Sequence, residues 1–204
     1  MAGMFITLEG IDGSGKTTLL QLMTDHLQAL GHTVLPTREP GGSMAGARLR
    51  ALLLESVFGT VDDRAEALLY AADRAFHVAE VIRPALQRGE IVISDRYIDS
   101  GLAYQGGGRG LSLEMLLQIN SFAVNGLMPD ITFWLDLPVE TALARLCGER
   151  DRLEQENIDF FRRTAAVYQQ LAMTQPQRFL RIDAVQAPQM VLMEIMRVLG
   201  PRLG

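Results

Sequence analysis

Five short apolar runs recur along the chain, at Met4–Glu9, Thr33–Thr37, Ile91–Asp95, Ile131–Leu137 and Phe179–Asp183, bounded by turn residues and separated by longer stretches of helical periodicity. Runs without polar alternation suit strands that are covered on both faces. Apolar residues at helical spacing are clearest over Thr17–Leu30, Arg64–Arg88, Leu113–Asn125, Val139–Leu146, Ile158–Thr174 and Pro188–Leu199. Strands and helices alternate, which predicts an α/β fold, doubly wound, with a five-stranded parallel sheet flanked by helices. The polar, charge-crowded stretch Gly148–Asn157 interrupts this rhythm and reads as a lid, over about residues 147–157, on a single domain spanning 1–204. In open sheets of this kind ligands gather beyond the carboxyl ends of the strands. The segments after Glu9, Thr37, Asp95, Leu137 and Asp183 are therefore expected to line one crevice.

Composition narrows the class of partner. With 204 residues, 48% of them hydrophobic and 21% charged, the chain can bury one substantial core. A net charge of −5 without a basic block argues against a nucleic-acid or anionic-membrane surface and points to small-molecule partners. No apolar run reaches the length of a membrane span. Cys147 is the only cysteine, which excludes an intramolecular disulfide, and the first residues lack the basic and apolar regions of a signal peptide; a cytoplasmic location is expected.

The segment Gly10-Ile-Asp-Gly-Ser-Gly-Lys-Thr17 has the spacing G-x-x-x-x-G-K-T between a predicted strand and a predicted helix. Such a loop turns backbone N–H groups toward phosphate oxygens and sets a helix N-terminus behind them. It predicts a phosphate loop of Mg²⁺·ATP-dependent phosphoryl transfer, with Gly10, Ile11, Asp12, Gly13, Ser14, Gly15, Lys16, Thr17 and Thr18 contacting ATP. Lys16 would reach the β- and γ-phosphates, and the Thr17 hydroxyl would ligate Mg²⁺. Lys16 is the only lysine among 19 basic residues, so a compact ammonium is kept where a planar guanidinium fits a tight cradle poorly. Asp12 inside the loop is either a functional carboxylate, separated from phosphate by Mg²⁺ or water, or a solvated turn residue.

Two further segments fall on the same crevice edge. Asp95-Arg96-Tyr97 ends the third predicted strand, placing a carboxylate where Mg²⁺ must be held; a capping Asp at the strand-to-helix junction is the other reading. Thr37-Arg-Glu-Pro-Gly-Gly42 follows the second strand and presents Arg38 to an anion, with Glu39 able to orient it; an ordinary loop ion pair accounts for the two equally well.

Taken in order, G-I-D-G-S-G-K-T, T-R-E-P-G-G, L-Y-A-A-D-R-A, D-R-Y-I-D-S-G-L-A-Y-Q-G-G-G-R-G and D-R-L-E-Q-E resemble the bacterial thymidylate kinases of the P-loop nucleoside monophosphate kinase family. The resemblance implies transfer of the ATP γ-phosphoryl group to dTMP, giving dTDP and ADP for dTTP synthesis, and a homodimer. It implies that Arg38 and Arg96 bind the dTMP phosphate, that Tyr70 stacks on thymine, and that Arg74 donates to a base carbonyl. Tyr70 and Arg74, four apart, share a helical face, although a core Tyr70 with an ion-paired Arg74 fits the same spacing. Arg50, Tyr104 and Gln105 match base and deoxyribose contacts. Gly101 departs from the small polar residue common in relatives, which leaves one nucleoside hydrogen bond missing or supplied by water. The phosphate loop has no basic residue besides Lys16, so the chain resembles members that place basic residues in the lid. Arg150 and Arg152 are then the catalytic lid arginines alongside Asp12, Lys16 and Arg96, with Arg145 as the alternate and Glu154 assisting Mg²⁺ or orienting an arginine; a solvated ion-pair patch is the other reading of this segment. Cys147 is given no role. Two rival readings remain open, a kinase acting on a deoxynucleoside and a nucleotide-hydrolysing switch.

Overall fold

The computed structural model describes residues 3–55, 61–146 and 148–203. Cys147, at the start of the expected lid, lies outside them. Strands β1 (Met4–Glu9), β2 (Val34–Arg38), β3 (Ile91–Asp95), β4 (Ile131–Asp136) and β5 (Phe179–Asp183) form one parallel sheet in the order β2-β3-β1-β4-β5. The expected strands are all present, with ends that differ by a residue. Central β1 sets Ile6 opposite Ile93 on one side and Ile131 on the other.

Both faces of the sheet are covered, which is why its inner strands are nearly uniformly apolar. Ile6, Leu8, Ile93, Phe133 and Leu135 enter the larger core, and Phe5 and Val92 face a smaller one with Val78, Ile82 and Tyr97. The buried hydroxyls of Thr7 and Thr132 satisfy each other at 2.7 Å, as a polar pair inside a core must.

Helices α1 (Lys16–Ala29), α2 (Met44–Leu54), α3 (Asp63–His77), α4 (Arg83–Gln87), α5 (Ile98–Gly101), α6 (Leu113–Val124), α7 (Val139–Ala144), α8 (Ile158–Thr174) and α9 (Pro188–Leu203) surround the sheet. The single helix expected over Arg64–Arg88 is a continuous rod with a wide π-type turn, Val78–Ile82, between α3 and α4. Pro84 explains it: proline lacks the donor of a regular turn and its ring clashes with the preceding carbonyl, and a widened turn relieves both.

Two helical segments were not expected. Helix α2, capped by Ser43 accepting from the Gly46 N–H, follows the Pro40-Gly41-Gly42 turn and buries only Gly46 and Leu53, too few to mark an apolar stripe. The glycine-rich Leu102–Gly108 continues α5 as a second wide turn. Its glycines permit the close approach of α8: a Cβ on Gly107 would lie 2.7 Å from the Arg163 carbonyl, and one on Gly108 2.4 Å from the Phe160 ring. Bulk elsewhere in the fold, not local propensity, makes this segment helical.

Candidate active site

The phosphate loop leaves β1 at Glu9 and re-enters helix at Lys16, with Gly15 left-handed at φ 94° as the N-cap. Lys16 folds back so that Nζ donates to the carbonyls of Gly10 and Ile11, each at 3.0 Å. It is almost wholly buried; burial and the nearby Arg96 hold its pKa below the usual lysine value, against the pull of Asp95 and Asp12. A cleft of about 410 Å³ lies over the loop and is lined by Gly13, Ser14, Gly15, Lys16, Thr17 and Thr18 together with Arg145 and the segment after β5. The Ile11 side chain points into the core, so only its backbone faces the loop interior. The buried Ser14 Oγ has no hydrogen-bond partner among the described residues.

A second cavity of about 580 Å³ shares Lys16 and Thr17 with the first and extends toward β2 and α3. Asp12 and Arg96 line this second cavity beside the shared Lys16 and Thr17. Arg96 is a non-glycine residue at φ 75°, held there by its own N–H to the Leu8 carbonyl at 2.9 Å and by Ser94 Oγ donating to its carbonyl at 2.7 Å. Its guanidinium donates to the Gly10 carbonyl at 3.0 Å, to Ser100 Oγ at 3.1 Å and to Tyr104 Oη at 3.0 Å, pairs with Asp12, and lies 4.7 Å over the Tyr104 ring. Tyr104 in turn donates to Asp12 Oδ2 at 2.7 Å. Burial alone would raise the Asp12 pKa, but Arg96 and Lys16 overcome it and hold the carboxyl below its ordinary value.

Of the three residues expected to hold Mg²⁺, Thr17 and Asp95 lie together: Thr17 Oγ1 donates to Asp95 Oδ2 at 3.0 Å. Two hard oxygens beside a phosphate cradle fit Mg²⁺, which takes few protein ligands and completes its shell with phosphate and water. Glu154 lines the same cavity as this pair, with its carboxylate accepting from the Asp151 N–H at 3.1 Å.

The second cavity gathers Arg38, Arg50, Tyr70, Arg74, Tyr104 and Gln105 beside Gly101. Arg38 is exposed at the end of β2. Arg50 Nη1 donates to the Pro40 carbonyl at 3.0 Å, and Gln105 Nε2 donates to Glu66 Oε1 at 2.9 Å. Glu39 differs from expectation. It turns inward, accepting from Arg74 Nε at 2.8 Å and facing His77 Nδ1 at 3.0 Å, because a buried carboxylate is stable only beside buried donors. Arg74 is thus ion-paired but 2% exposed, with Nη2 also donating to the Tyr97 carbonyl at 3.0 Å and Nη1 to Asn120; it is no surface pair. Tyr70, partly buried, packs on the core while its ring lines the cavity.

The arginines of the expected lid separate. Arg145 lines the cleft over the phosphate loop. Arg150 is exposed and lines neither cavity, while Arg152 donates through Nε to the Leu53 carbonyl at 2.9 Å and pairs with Glu66. From the same segment, Asp151, Leu153 and Glu154 line the second cavity.

Sequence reasoning passed over several participants. Glu9, wholly buried, accepts from the Tyr97 N–H at 2.8 Å, from Ser100 Oγ at 2.5 Å and from Tyr168 Oη at 2.9 Å; burial and the neighbouring Asp99 push its pKa up to about 7. Asp73 accepts the Gly41 N–H at 2.9 Å, and burial and Glu39 push its pKa up to about 6. Glu66 had a signal available, since it stands four residues before Tyr70 on the same stripe of α3.

Comparison with known proteins matches this geometry to one family. The thymidylate kinase family model matches residues 8–195. A thymidylate kinase of Desulfovibrio desulfuricans is 50% identical over 94% of this chain and 92% of its own length, and one of Synechococcus sp. is 52% identical over 98% and 96%. Among solved structures, a thymidylate kinase from Ehrlichia chaffeensis superposes with a TM-score of 0.82 at 33% identity, covering 97% of this chain and 98% of its own. With near-complete coverage at half identity, and the phosphate loop, Asp95-Arg96 and Tyr104 gathered at one junction, this chain belongs to the thymidylate kinase family.

Proposed function

We propose that the chain transfers the γ-phosphoryl group of ATP to dTMP, yielding ADP and dTDP, by direct in-line displacement within one kinase domain. One observation carries the reading: the cleft over the phosphate loop and the arginine-lined cavity share Lys16 and Thr17, and the Asp12–Arg96–Tyr104 cluster lines the second cavity beside them, so two phosphates can be held end to end across Lys16. ATP lies over Gly10–Thr18, with Lys16 on its terminal phosphates. A deoxynucleoside acceptor would leave Arg38 and Arg96 without an anion to bind. A phosphate monoester is largely anionic near pH 7 and attacks without a strong general base, which leaves positioning and charge neutralisation as the protein's work. Arg96 orients the acceptor phosphate and Asp12 holds Arg96. Tyr70 stacks on thymine while Arg74 and Gln105 address its edge and Arg50 supports the loop at Pro40. Thr17 and Asp95, with Glu154 on the same cavity, would hold Mg²⁺; when bound, that ion neutralises phosphate charge. Arg145, which lines the cleft over the phosphate loop, serves the donor phosphates, whereas Arg150 lies outside both cavities and Arg152 is engaged elsewhere.

A homodimer is supported by the apolar side chains left exposed on the packed pair α3 and α6, among them Leu68, Phe76, Met115 and Phe122. We place its action in the cytoplasm; no helix among the described residues is long and apolar enough to cross a membrane. The test is ADP release with no acceptor, dTMP, dUMP, dCMP or thymidine. Strong stimulation by dTMP, lost in Arg96→Ala without loss of fold, is expected. Stimulation by thymidine alone, equal rates throughout, or an active Arg96→Ala enzyme would each overturn it.

A further inference from the structure

Glu66 is 0% exposed and gathers three donor side chains from two segments far apart in sequence, Gln105 and Arg109 from one and Arg152 from the other. Its Oε1 accepts from Gln105 Nε2 at 2.9 Å and from Arg109 Nε at 3.3 Å, and its Oε2 from Arg109 Nη2 at 3.2 Å and from Arg152. Gln105 forms part of the acceptor cavity's wall. Arg152 belongs to the turn whose Asp151, Leu153 and Glu154 form another part of it. That turn is pinned a second time: the Arg152 N–H and Nε donate to the carbonyls of Leu54 and Leu53, at 3.2 and 2.9 Å. Arg109 extends the network to Glu156 and lies 5.0 Å over the Phe160 ring at the start of α8.

A buried ion network is a poor stabilising device, because desolvation offsets most of its Coulombic gain; what it does supply is fixed geometry. We infer that Glu66 is a positioning residue for the acceptor: one carboxylate locks the 151–156 turn and the Gln105 side chain together, so the closed turn and the aligned base-facing amide are one state. Arg152 is then the latch of that turn, held away from the donor phosphates. This rests on the dTMP kinase reading above.

The test uses the full chain as wild type, Glu66→Gln, Arg152→Ala and the double variant. Glutamine keeps the size of the side chain and still accepts from Gln105, but loses the charge that holds both arginines. For Glu66→Gln and for Arg152→Ala the expected result is a KM for dTMP raised about tenfold with the KM for ATP changed less than threefold. Amide hydrogen exchange at Arg152, Gln155 and Glu156 should speed up about tenfold while amides of β1 and β3 stay unchanged. The double variant should resemble the worse single one, since both act through one contact. A KM for dTMP within twofold of wild type, or equal losses for both substrates with exchange accelerated throughout the fold, would overturn the proposal. If wild type fails to phosphorylate dTMP, it is the functional reading that falls, and the exchange measurement still decides whether Glu66 holds the turn.

Discussion

Asp12→Asn separates charge from shape at the junction of the two cavities. The carboxylate accepts from Tyr104 Oη at 2.7 Å and from the Arg96 guanidinium, and it is only 22% exposed. Asparagine retains one carbonyl acceptor but turns an amide donor toward the other partner. A hydrogen bond to a charged group contributes about 1.5–3 kcal/mol against about 0.5–1.5 for a neutral one, so the folded state should lose about 1–2 kcal/mol. For a chain of this size that lowers Tm by about 5 °C. The catalytic loss should be larger. Arg96 loses the anion that fixes its guanidinium, and removal of one preorganised electrostatic group costs about 10²–10³ in kcat, or about 3–4 kcal/mol of barrier. Coupled ADP formation at saturating ATP and dTMP, with thermal unfolding measured on the same preparation, gives both numbers. A kcat within threefold of wild type would refute the junction role of Asp12. So would a kcat loss that merely tracks unfolding at the assay temperature.

Three other outcomes follow from the same geometry. Glu9 has its pKa pushed up to about 7 from an ordinary 4.5, so the folded state holds this proton more tightly than the unfolded chain. Stability from this group is present below about pH 4.5 and falls by about 3 kcal/mol as pH rises to 7; Glu9→Gln should flatten that part of the stability profile in denaturant titrations, and an unchanged slope would contradict it. Gly42→Ala would set a Cβ 2.4 Å from His77 Nε2 and 2.6 Å from the Arg38 carbonyl, so steady-state kinetics should show the KM for dTMP rising at least tenfold while that for ATP holds. Chelation of divalent cations should stop turnover, and Asp95→Asn should raise the Mg²⁺ concentration for half-maximal rate about tenfold, read by Mg²⁺ titration.

Much of this was legible in the sequence, and for identifiable reasons. The strands announce themselves because a sheet covered on both faces tolerates little polarity, and Gly10–Thr17 is legible because its chemistry is local: glycines, one lysine and one hydroxyl act through adjacent backbone. Arg96, Arg74 and Gln105 were nameable as site residues, but their actual partners were not. Glu39 was expected beside Arg38 and instead holds Arg74 and His77, residues 35 and 38 positions away. Which arginine of the lid reaches which phosphate could not be read from spacing, since Arg152 is drawn off by Glu66, 86 residues earlier. The helical course of Leu102–Gly108 was equally hidden, because it exists to admit α8. The sequence alone determined the five strands, the phosphate loop and the family. Tertiary structure decided the pairing of charges and the close approaches, because a buried carboxylate chooses among donors according to where the folded chain brings them.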